Sequence, residues 1–422
     1  MKKNIFIILF VFCIGSRYSF SQIMELSQNS VYNGIDVLIE SNFATLKGKT
    51  VALLTNHAGR TKDCKTSVEA FQKTKECTLK FLLTPEHGFY TTIPAGEHVG
   101  NDTVFGLPAL SLYGANKKPS KEILSKVDAI VIDIQDIGIR SYTYISSVFK
   151  TLDACAEADK EVFILDRPNP IGGLIVDGNV LEKEFESFIG IAPIPYVHGL
   201  TVGEFATMAN EEGWLSKDAS GVARKCKLTV VKMKNWNRWM RWEDTGLQWF
   251  PTSPHIPTVD AVRGAAMLGA FGEISLTSIG IGTSSPFQYI GSPTFDIEKI
   301  SKAFGSLSFE DVEFVPAKYR PFYGMYSGKD CSGFLLRFPP GTKLVPYYTG
   351  IKMMLAVRKV YPSLFNASKI SPKGKEMFCK ATGTDAIFNG IFGKATDEEI
   401  LRASRKGLKD FIELRKKYLL YE

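Results

Sequence analysis

The residues best suited to chemistry are three acidic side chains that follow short apolar runs of the sequence. Glu86 lies between Pro85 and His87, and Asp133 and Asp136 follow another apolar run. Glycoside hydrolysis requires two carboxyl groups, because one protonates the leaving oxygen while the other activates water or supports the oxocarbenium-like transition state. We expect Glu86 to be the general acid, since a carboxyl group that is partly removed from water favours its protonated form.

The second acidic group has more than one interpretation. Asp133 and Asp136 could serve as a base, as stabilisers of positive charge, or as structural partners of Arg140. Asp166 and Arg167, which follow a later apolar run, could form an internal ion pair. Arg167 is also suited to bind a substrate carboxylate through two parallel hydrogen bonds. The sequence leaves these alternatives open.

The histidines of the chain all lie in loop-like segments, and none lies in a helical pattern. They are His57, His87, His98, His198 and His255. A single histidine in such a place is more often a hydrogen-bonded structural residue than a catalyst. Because all of them share this setting, we predict a site lined by several. The predicted catalytic residues are Glu86, Asp133, Asp136 and His87, and the predicted substrate-binding residues are Asn56, His57, Arg140, Asp166, Arg167, Asn169, His198 and His255.

Other kinds of catalytic site find less support. No G-x-S-x-G segment is present, which disfavours a serine hydrolase of the α/β type, and no H-E-x-x-H zinc motif occurs. Residues 48–50 resemble the end of a phosphate-binding loop, but they precede a predicted strand instead of following one. His87, Glu97 and His98 leave a looser metal site open as an alternative. We expect a site with no metal and no cofactor.

The elements that would position these residues alternate between strand and helix. Continuous apolar runs, which are typical of strands buried on both faces, occupy residues 50–54, 79–83, 129–132 and 162–165. Helices are predicted at residues 66–75 and 142–158, so the strands should be largely parallel. Each run ends in a polar cluster, and ligands of open parallel sheets bind beyond the carboxyl ends of the strands. We infer that these clusters meet at one edge, although strand ends are commonly polar in any protein.

The chain should divide into two domains. A further strand at residues 227–231 precedes a group of tryptophans, which could stack on sugar rings but are more often packed in a core. The tryptophans are Trp236, Trp239, Trp242 and Trp249. We predict an α/β fold, with a Rossmann-like, largely parallel sheet domain at residues 26–258. A smaller α+β domain at residues 259–422 should complete the cleft and end in a charged helix at residues 397–418.

The composition is that of a folded, exported protein. The chain has 422 residues, of which 45% are hydrophobic and 23% charged, which excludes disordered and fibrous classes. Residues 1–22 combine basic residues, an apolar run and a polar end, as in a secretory signal peptide. Its removal takes away three basic residues and lowers the formal charge from +7 to +4, too little to favour nucleic acid. We expect a periplasmic or extracellular protein without stable membrane insertion.

The cysteines bear on lipid anchoring, disulfide bonds and zinc binding in a periplasmic or extracellular protein. Cys13 lies within the apolar run, but the residues before it lack the small side chains of a lipoprotein signal, so a lipid-anchored form is less expected. Six cysteines follow Cys13, and an even number in an oxidising compartment permits disulfides. Cys64 and Cys77 are the closest pair in sequence, and no spacing matches a zinc site. Disulfide pairing and oligomeric state stay open.

A series of short motifs resembles the NamZ-type exo-β-N-acetylmuramidases, a family first catalogued as a domain of unknown function. The resemblance runs from about residue 34 to the C-terminus, with the motifs in the same order and at similar spacing. The motifs are Thr55-Asn56-His57-Ala58-Gly59, Pro85-Glu86-His87-Gly88, Ser111-Leu112-Tyr113-Gly114, Asp133-Ile134-Gln135-Asp136, Tyr142-Thr143-Tyr144, Asp166-Arg167-Pro168-Asn169-Pro170 and His198-Gly199-Leu200-Thr201. Each motif alone is weak, whereas the ordered set is specific.

The resemblance implies a Rossmann-like N-terminal domain, a smaller C-terminal domain and an active cleft between them. It implies removal of N-acetylmuramic acid from the non-reducing end of peptidoglycan-derived oligosaccharides, with neither a metal nor a nucleotide. The glutamate of the family's P-E-H-G motif corresponds to Glu86, in agreement with the residue chosen above. The lactyl carboxylate of the sugar needs a cation, for which we predict Arg167 or Arg140.

One segment departs from the family pattern. Where many relatives have S-E-G-R-G-T, residues 278–283 place Ile279 and Ile281 at the glutamate and arginine positions. His255 stands where relatives often have asparagine. Because an apolar pair cannot bind the same polar groups, two alternatives remain open. They are a catalytically silent carbohydrate-binding protein of the envelope and a hydrolase of a related amino-sugar or ester bond.

Overall fold

A computed structural model describes residues 30–422, apart from residues 306, 308, 310, 311 and 342. The signal peptide predicted at residues 1–22 lies outside the described residues. The first part of the chain is built on a seven-stranded sheet, and the second part combines helices with a three-stranded sheet. The predicted α/β class, with a Rossmann-like sheet followed by a smaller α+β part, is confirmed.

The large sheet is mostly parallel. Its strands are β1 (Thr50–Thr55), β2 (Thr78–Thr84), β3 (Asp102–Val104), β4 (Leu107–Ser111), β5 (Ala129–Asp133), β6 (Glu161–Leu165) and β9 (Lys227–Val231). Between β6 and β9, the chain forms a separate antiparallel pair, β7 (Asp177–Val180) and β8 (Pro195–Val197). The seven strands of the large sheet lie in the order β3-β4-β2-β1-β5-β6-β9, and β3 pairs antiparallel with β4 while the other neighbours are parallel. The parallel strands therefore have the doubly wound order, which reverses between β1 and β5.

Helices connect the strands and cover the sheet. They are α1 (Gly34–Glu40), α2 (Ser67–Lys73), α3 (Lys121–Leu124), α4 (Tyr144–Glu157) and α5 (Val202–Glu211). At the start of α2, Thr66 and Glu69 form a capping box that satisfies free backbone amides. The predicted strands at the four apolar runs and the helices predicted at residues 66–75 and 142–158 are confirmed, with ends that agree within about two residues.

The second part of the chain packs helices around a small antiparallel sheet. Its elements are α6 (Val259–Ile274), β10 (Tyr289–Ser292), α7 (Ile297–Gly305), β11 (Glu313–Tyr319), β12 (Cys331–Arg337), α8 (Pro346–Val360), α9 (Pro372–Thr382), α10 (Ala386–Phe392), α11 (Asp397–Ala403) and α12 (Leu408–Arg415). The sheet order is β10-β12-β11, and α6 packs against α8 and α9. Helix α6 is buried along most of its length, which places it at the centre of this part.

The prediction of one charged helix at residues 397–418 is wrong. The chain forms α11, a turn, α12 and a short 3-10 helix at Lys416–Tyr418. Gly407 adopts a left-handed φ of 76°, which a continuing helix does not allow. After this break, Phe411 joins the core on one face of the large sheet, and Tyr421 Oη donates to Asp166 Oδ2 at 2.7 Å. The terminal residues thus return to the first part, and the domain boundaries at 26–258 and 259–422 stay predictions.

The apolar cores connect the two parts. Two clusters lie on the faces of the large sheet, and a third fills the second part and extends to Ile137, Ile139 and Tyr196 of the first. Trp236, Trp242 and Trp249 are buried, whereas Trp239 is exposed. This continuous packing holds the second part against the carboxyl edge of the sheet.

The cysteines and the helices add two observations. The cysteines that follow Cys13 are free thiols in the described residues; Cys64 is exposed and the others are buried. Among the helices of the described residues, none has the length and apolar character needed to cross a bilayer.

Candidate active site

A cavity of about 640 Å³ opens between the carboxyl edge of the large sheet and the second part of the chain. On one side it is lined by the segments after β2 and β5 and by the start of α4. On the other side it is lined by α6, the loop after α6 and α9. The polar side chains that line it include Glu86, His87, Tyr113, Lys117, Tyr142, Thr143, Ser253, His255, Glu273 and Lys380. Its volume is in the range of small-molecule sites.

Glu86 enters the cavity from the turn after β2, and its side chain is buried. Its Oε1 accepts a hydrogen bond from the Gly96 backbone amide at 2.9 Å, and its Oε2 accepts one from Thr143 Oγ1 at 2.6 Å. The Tyr113 hydroxyl also bonds to Glu86, and burial together with that carboxyl group raises the pKa of Tyr113. These contacts hold the carboxyl group of Glu86 in one orientation at the cavity wall.

His87 lies beside Glu86 and adopts a left-handed backbone conformation with a φ of 74°. Its Nδ1 is 2.7 Å from the carbonyl oxygen of Ile93, and because a carbonyl oxygen only accepts, Nδ1 carries the proton. The ring lies near Tyr142 and Tyr144, with centroids 6.4 Å from each. Burial lowers the pKa of His87, so the imidazole is neutral near neutral pH.

His255 reaches the cavity from the opposite side, in the segment before α6. Its Nε2 lies 3.0 Å from the hydroxyl of Tyr323, and the two rings stack with centroids 5.9 Å apart. Burial, with a smaller contribution from the proximity of His87, lowers the pKa of His255. Gly282 has a φ of 86°, and a Cβ there would lie 2.1 Å from the carbonyl oxygen of Tyr323. The loop after α6 therefore packs directly against the Tyr323 loop at the cavity rim.

Asp133 and Arg167 come together, but they do so away from the cavity. Arg167 Nε is 2.5 Å from Asp133 Oδ1, Arg167 Nη2 is 3.0 Å from Asp133 Oδ2, and Ser67 donates to the same carboxylate. Both charged side chains are buried, with 4% and 0% exposed. Asp133 ends β5 beside the carboxyl end of β1, and Arg167 reaches it from the segment after β6. Doubly wound sheets bind ligands between two such strand ends. That position is filled by protein, and Arg167 pairs with Asp133 and not with its neighbour Asp166.

Asp136 and Arg140 also lie behind the cavity. Asp136 Oδ2 accepts a hydrogen bond from the Gly138 amide at 2.7 Å and lies 3.7 Å from His198 Nε2. Arg140 is fully buried, and burial lowers its pKa to about 10. Its guanidinium donates to the carbonyl oxygens of Asn179, Ile194 and Ala381. Arg140 thus links the first part of the chain to α9, and its predicted role in substrate binding stays a prediction.

Asn56 and His57, which follow β1, brace the loops around the cavity. Asn56 Nδ2 donates to Tyr144 Oη at 2.8 Å. His57 Nε2 lies 2.7 Å from the carbonyl oxygen of Pro251, and burial lowers the pKa of His57. Both contacts tie β1 to later segments of the chain, so these two residues position the wall of the cavity.

Asp166 and Asn169 make internal contacts of the same kind. Burial raises the pKa of Asp166, and Asn169 Nδ2 donates to the carbonyl oxygen of Leu200 at 3.0 Å. The donors to the Asp166 carboxylate are Thr201 Oγ1, the Gly203 amide and Tyr421 Oη. Among the predicted site residues, the cavity is lined by Glu86, His87 and His255, and the others are not part of its lining.

Several ionisable side chains that line the cavity are not among the predicted site residues. They include Tyr113, Lys117, Glu273 and Lys380. Tyr113 lies in one of the recognised motifs, which was the available signal for it. Glu273 and Lys380 lie near the ends of α6 and α9, where such residues are usually solvated. The packing of these helices against the edge of the sheet places both residues at the cavity.

A second cavity, of about 770 Å³, lies near Trp239. Its acidic residues are already engaged, because Glu243 pairs with Arg263 at 2.7 Å and Asp244 accepts the backbone amide of Arg241 at 2.8 Å. We therefore place the candidate site in the cavity that contains Glu86. In the part of the chain that the structure describes, no three His, Cys, Asp or Glu side chains come close enough together to hold a metal ion.

The chain is similar to known proteins over most of its length. The model of the N-terminal part of the exo-β-N-acetylmuramidase NamZ matches residues 51–260, and the model of its C-terminal part matches residues 266–421. The peptidoglycan β-N-acetylmuramidase NamZ of Bacillus subtilis (strain 168) is 36% identical over 395 residues, which cover 93% of this chain and 91% of that protein. These matches confirm the resemblance found in the sequence motifs.

Two crystal structures from Bacteroides fragilis NCTC 9343, both of DUF1343 family proteins, share the fold. One is 36% identical with a TM-score of 0.85, and the match covers 93% of this chain and 100% of that one. The other is 29% identical with a TM-score of 0.71, and the match covers 93% of this chain and 99% of that one. With its fold and its sequence matched along nearly the whole length, the chain belongs to the NamZ family of glycosidases.

Proposed function

We propose that this protein is an exo-acting glycoside hydrolase that releases N-acetylmuramic acid from the non-reducing end of peptidoglycan fragments, with Glu86 as the general acid. The observation that carries the assignment is a buried carboxyl group, held by Gly96 and Thr143, at the wall of a saccharide-sized cavity. The named activity of the Bacillus subtilis relative supports the choice of sugar.

A carboxyl group at the position of Glu86 can protonate the oxygen that leaves with the rest of the saccharide. This proton is needed because an alkoxide is a poor leaving group. The bond between the anomeric carbon and the glycosidic oxygen breaks, the proton of Glu86 passes to that oxygen, and water supplies a hydroxyl group to the anomeric carbon. Ile279 and Phe287 line the same cavity and make part of its wall apolar.

The cavity also suits an anionic amino sugar. N-acetylmuramic acid carries a lactyl carboxylate, and Lys117 and Lys380 line the cavity wall. Lys380 Nζ already interacts with Glu376 at 2.5 Å, an exposed pair that a substrate carboxylate can join. The cations expected from the sequence, Arg140 and Arg167, are engaged behind the cavity. We propose that the two lysines supply positive charge for the lactyl group.

The proposed substrate has consequences for location. Peptidoglycan fragments occur outside the cytoplasmic membrane, which fits the secretory signal predicted at residues 1–22. We propose that the protein acts in the periplasm or outside the cell, with a lipid-anchored form less expected. Acid–base hydrolysis uses water as its second reactant, so the proposal requires no cofactor.

The test is mass-spectrometric detection of free N-acetylmuramic acid after incubation of the purified protein with the disaccharide MurNAc-β-1,4-GlcNAc. The native protein is expected to release the sugar, and Glu86→Gln is expected to be slower by at least about a hundredfold, the scale of a lost general acid. Glu122→Gln is the matched control. The Glu122 side chain is 81% exposed and does not line the cavity, so this variant should keep the native rate.

Three other results would each overturn a different part of the proposal. Equal rates for the native protein and Glu86→Gln would overturn the assignment of Glu86. Binding of the disaccharide without release by the native protein would overturn the hydrolase and favour the carbohydrate-binding alternative. If the native protein released a different sugar from a panel of amino-sugar glycosides, that sugar, and not N-acetylmuramic acid, would be the one that the enzyme recognises.

A further inference from the structure

A second carboxyl group reaches the same cavity from the opposite part of the chain. Glu86 comes from the turn after β2, whereas Glu273 comes from α6, and both line the cavity. Cleavage of a glycosidic bond generally uses two carboxyl groups on either side of the reacting carbon. Asp133 and Asp136 were the sequence-based candidates for the second group, but neither lines the cavity.

Helix α6 presents one face to the cavity, and that face is made of small residues until it reaches Glu273. Ala265, Gly269 and Gly272 line the cavity at intervals that place them on one side of the helix. A Cβ at Gly269 would lie 2.8 Å from Tyr196 Oη, and a Cβ at Gly272 would lie 2.9 Å from Ile279 Cδ1. The helix therefore packs tightly there, and Glu273 is the residue of this face that brings an ionisable group to the cavity.

The surroundings of Glu273 do not explain its presence as a structural residue. Among the residues that the structure describes, its carboxyl group has neither a hydrogen-bond donor nor a cationic partner, and burial raises its pKa. It lies one position before the end of α6 at Ile274, where the partial negative charge of the helix terminus opposes a carboxylate. Ile279 and Ile281, which also line the cavity, offer no polar contact. The position costs stability and is suited to a carboxyl group that acts on a ligand.

We propose that Glu273 is the second carboxyl group of the reaction and acts as the general base. In this assignment, which rests on the proposed function, Glu273 takes a proton from water as the water oxygen bonds to the anomeric carbon. Glu86 gives its proton to the glycosidic oxygen as the bond to that oxygen breaks. Solvent then removes the proton from Glu273 and returns one to Glu86, so the protein is restored.

The test compares two substrates, the disaccharide MurNAc-β-1,4-GlcNAc and 4-nitrophenyl β-N-acetylmuraminide. Because 4-nitrophenolate leaves without protonation, a variant that lacks the general acid should lose much activity on the disaccharide and little on the nitrophenyl glycoside. A variant that lacks the general base should lose activity on both. We expect Glu273→Gln to lower kcat by about a hundredfold or more on both substrates, and Glu86→Gln to do so on the disaccharide alone.

Control variants separate chemistry from folding. Glu298→Gln, an exposed glutamate of α7, should keep the native rates on both substrates. Glu273→Asp keeps a carboxyl group but shortens its reach, so its rates should fall between those of the native protein and Glu273→Gln. Binding of free N-acetylmuramic acid, measured by calorimetry, should be retained by Glu273→Gln, which shows that the cavity is intact.

The outcomes for the two glutamates are distinguishable. Rates of Glu273→Gln that stay within about threefold of native on both substrates would overturn this inference and leave the assignment of Glu86 untouched. Loss on the disaccharide alone would make Glu273 the acid and overturn its assignment as the base. Unchanged activity of Glu86→Gln on the disaccharide would instead overturn the assignment of Glu86 as the acid, and no release by the native protein would overturn the proposed function.

Discussion

Two regions at the carboxyl edge of the large sheet carry equally polar residues but differ in what surrounds those residues. At the ends of β1 and β5, Asp133 is buried and engaged by Arg167 and Ser67. At the end of β2, Glu86 is buried too, but it opens onto a cavity of about 640 Å³. The first region occupies the place where doubly wound sheets usually bind ligands, and the second lies beside it.

The difference shows that burial of polar groups serves two purposes in this protein. In the Asp133 region, each charged group is paired within the chain, so the contacts fix the relative position of the strands and α2, and loss of one partner would leave a buried charge. In the Glu86 region, hydrogen bonds orient the carboxyl group but leave it facing the cavity. Variants of the two regions should therefore change different quantities: stability in the first and activity in the second.

The largest effect is expected from Arg167→Met, which tests whether the Asp133 region contributes to stability. The substitution leaves the Asp133 carboxylate buried without its cation, so the free energy of unfolding should fall by about 3–5 kcal/mol. Urea unfolding followed by circular dichroism measures the change. Arg320→Met is the matched control, because Arg320 pairs with Asp330 in an exposed ion pair whose side chains are 59% and 73% exposed. It should cost less than about 1 kcal/mol, and an equal loss for both variants would contradict the comparison.

A smaller effect, on activity, is expected from Thr143→Val. The substitution removes the hydroxyl that donates to Glu86 Oε2 and keeps the shape of the side chain. Loss of one hydrogen bond to a carboxyl group should lower kcat by about tenfold, with little change in KM or in the unfolding midpoint. Thr143→Ser restores the hydroxyl and should recover most of the rate. A variant that raises KM at constant kcat would show that Thr143 contacts the substrate instead of positioning Glu86.

The smallest effect concerns Glu273, for which activity and stability should move in opposite directions. Burial raises the pKa of Glu273 above its ordinary value of 4.5. Below that value the carboxyl group is protonated in both the folded and the unfolded state. As the pH rises through the folded pKa, the folded state must give up a proton that it holds more tightly, so stability falls.

Glu273→Gln removes this penalty. The variant should be more stable than the native protein by about 0.5–1 kcal/mol near pH 8, and the advantage should shrink toward about pH 4. The neighbouring ionisable groups that could alter the profile are Tyr196, Lys380, His255 and Glu86. Thermal unfolding of both proteins across this pH range measures the difference. A variant that is less stable than native near pH 8 would indicate that Glu273 has a stabilising partner.

Local signals made the sheet and part of the site predictable. Strands β1, β2, β5 and β6 and helix α4 have continuous apolar runs or helical periodicity, and these patterns depend on a few neighbouring residues. The position of Glu86 at a strand end was predictable because it follows such a run, whereas its catalytic role stays a proposal. The break at Gly407 was not predictable, since a single glycine is tolerated within many helices and its left-handed conformation depends on packing.

The sequence by itself determined the α/β class, the parallel sheet and the family, because apolar runs, turn residues and short motifs are local properties of the chain. Only the tertiary structure decided which polar residues face the cavity. Arg167 does not line the cavity, because it pairs with Asp133, which is distant in sequence. Glu273 lines the cavity because α6 packs against the sheet edge. Such contacts depend on how the whole chain packs, and a local pattern of residue types does not contain that information.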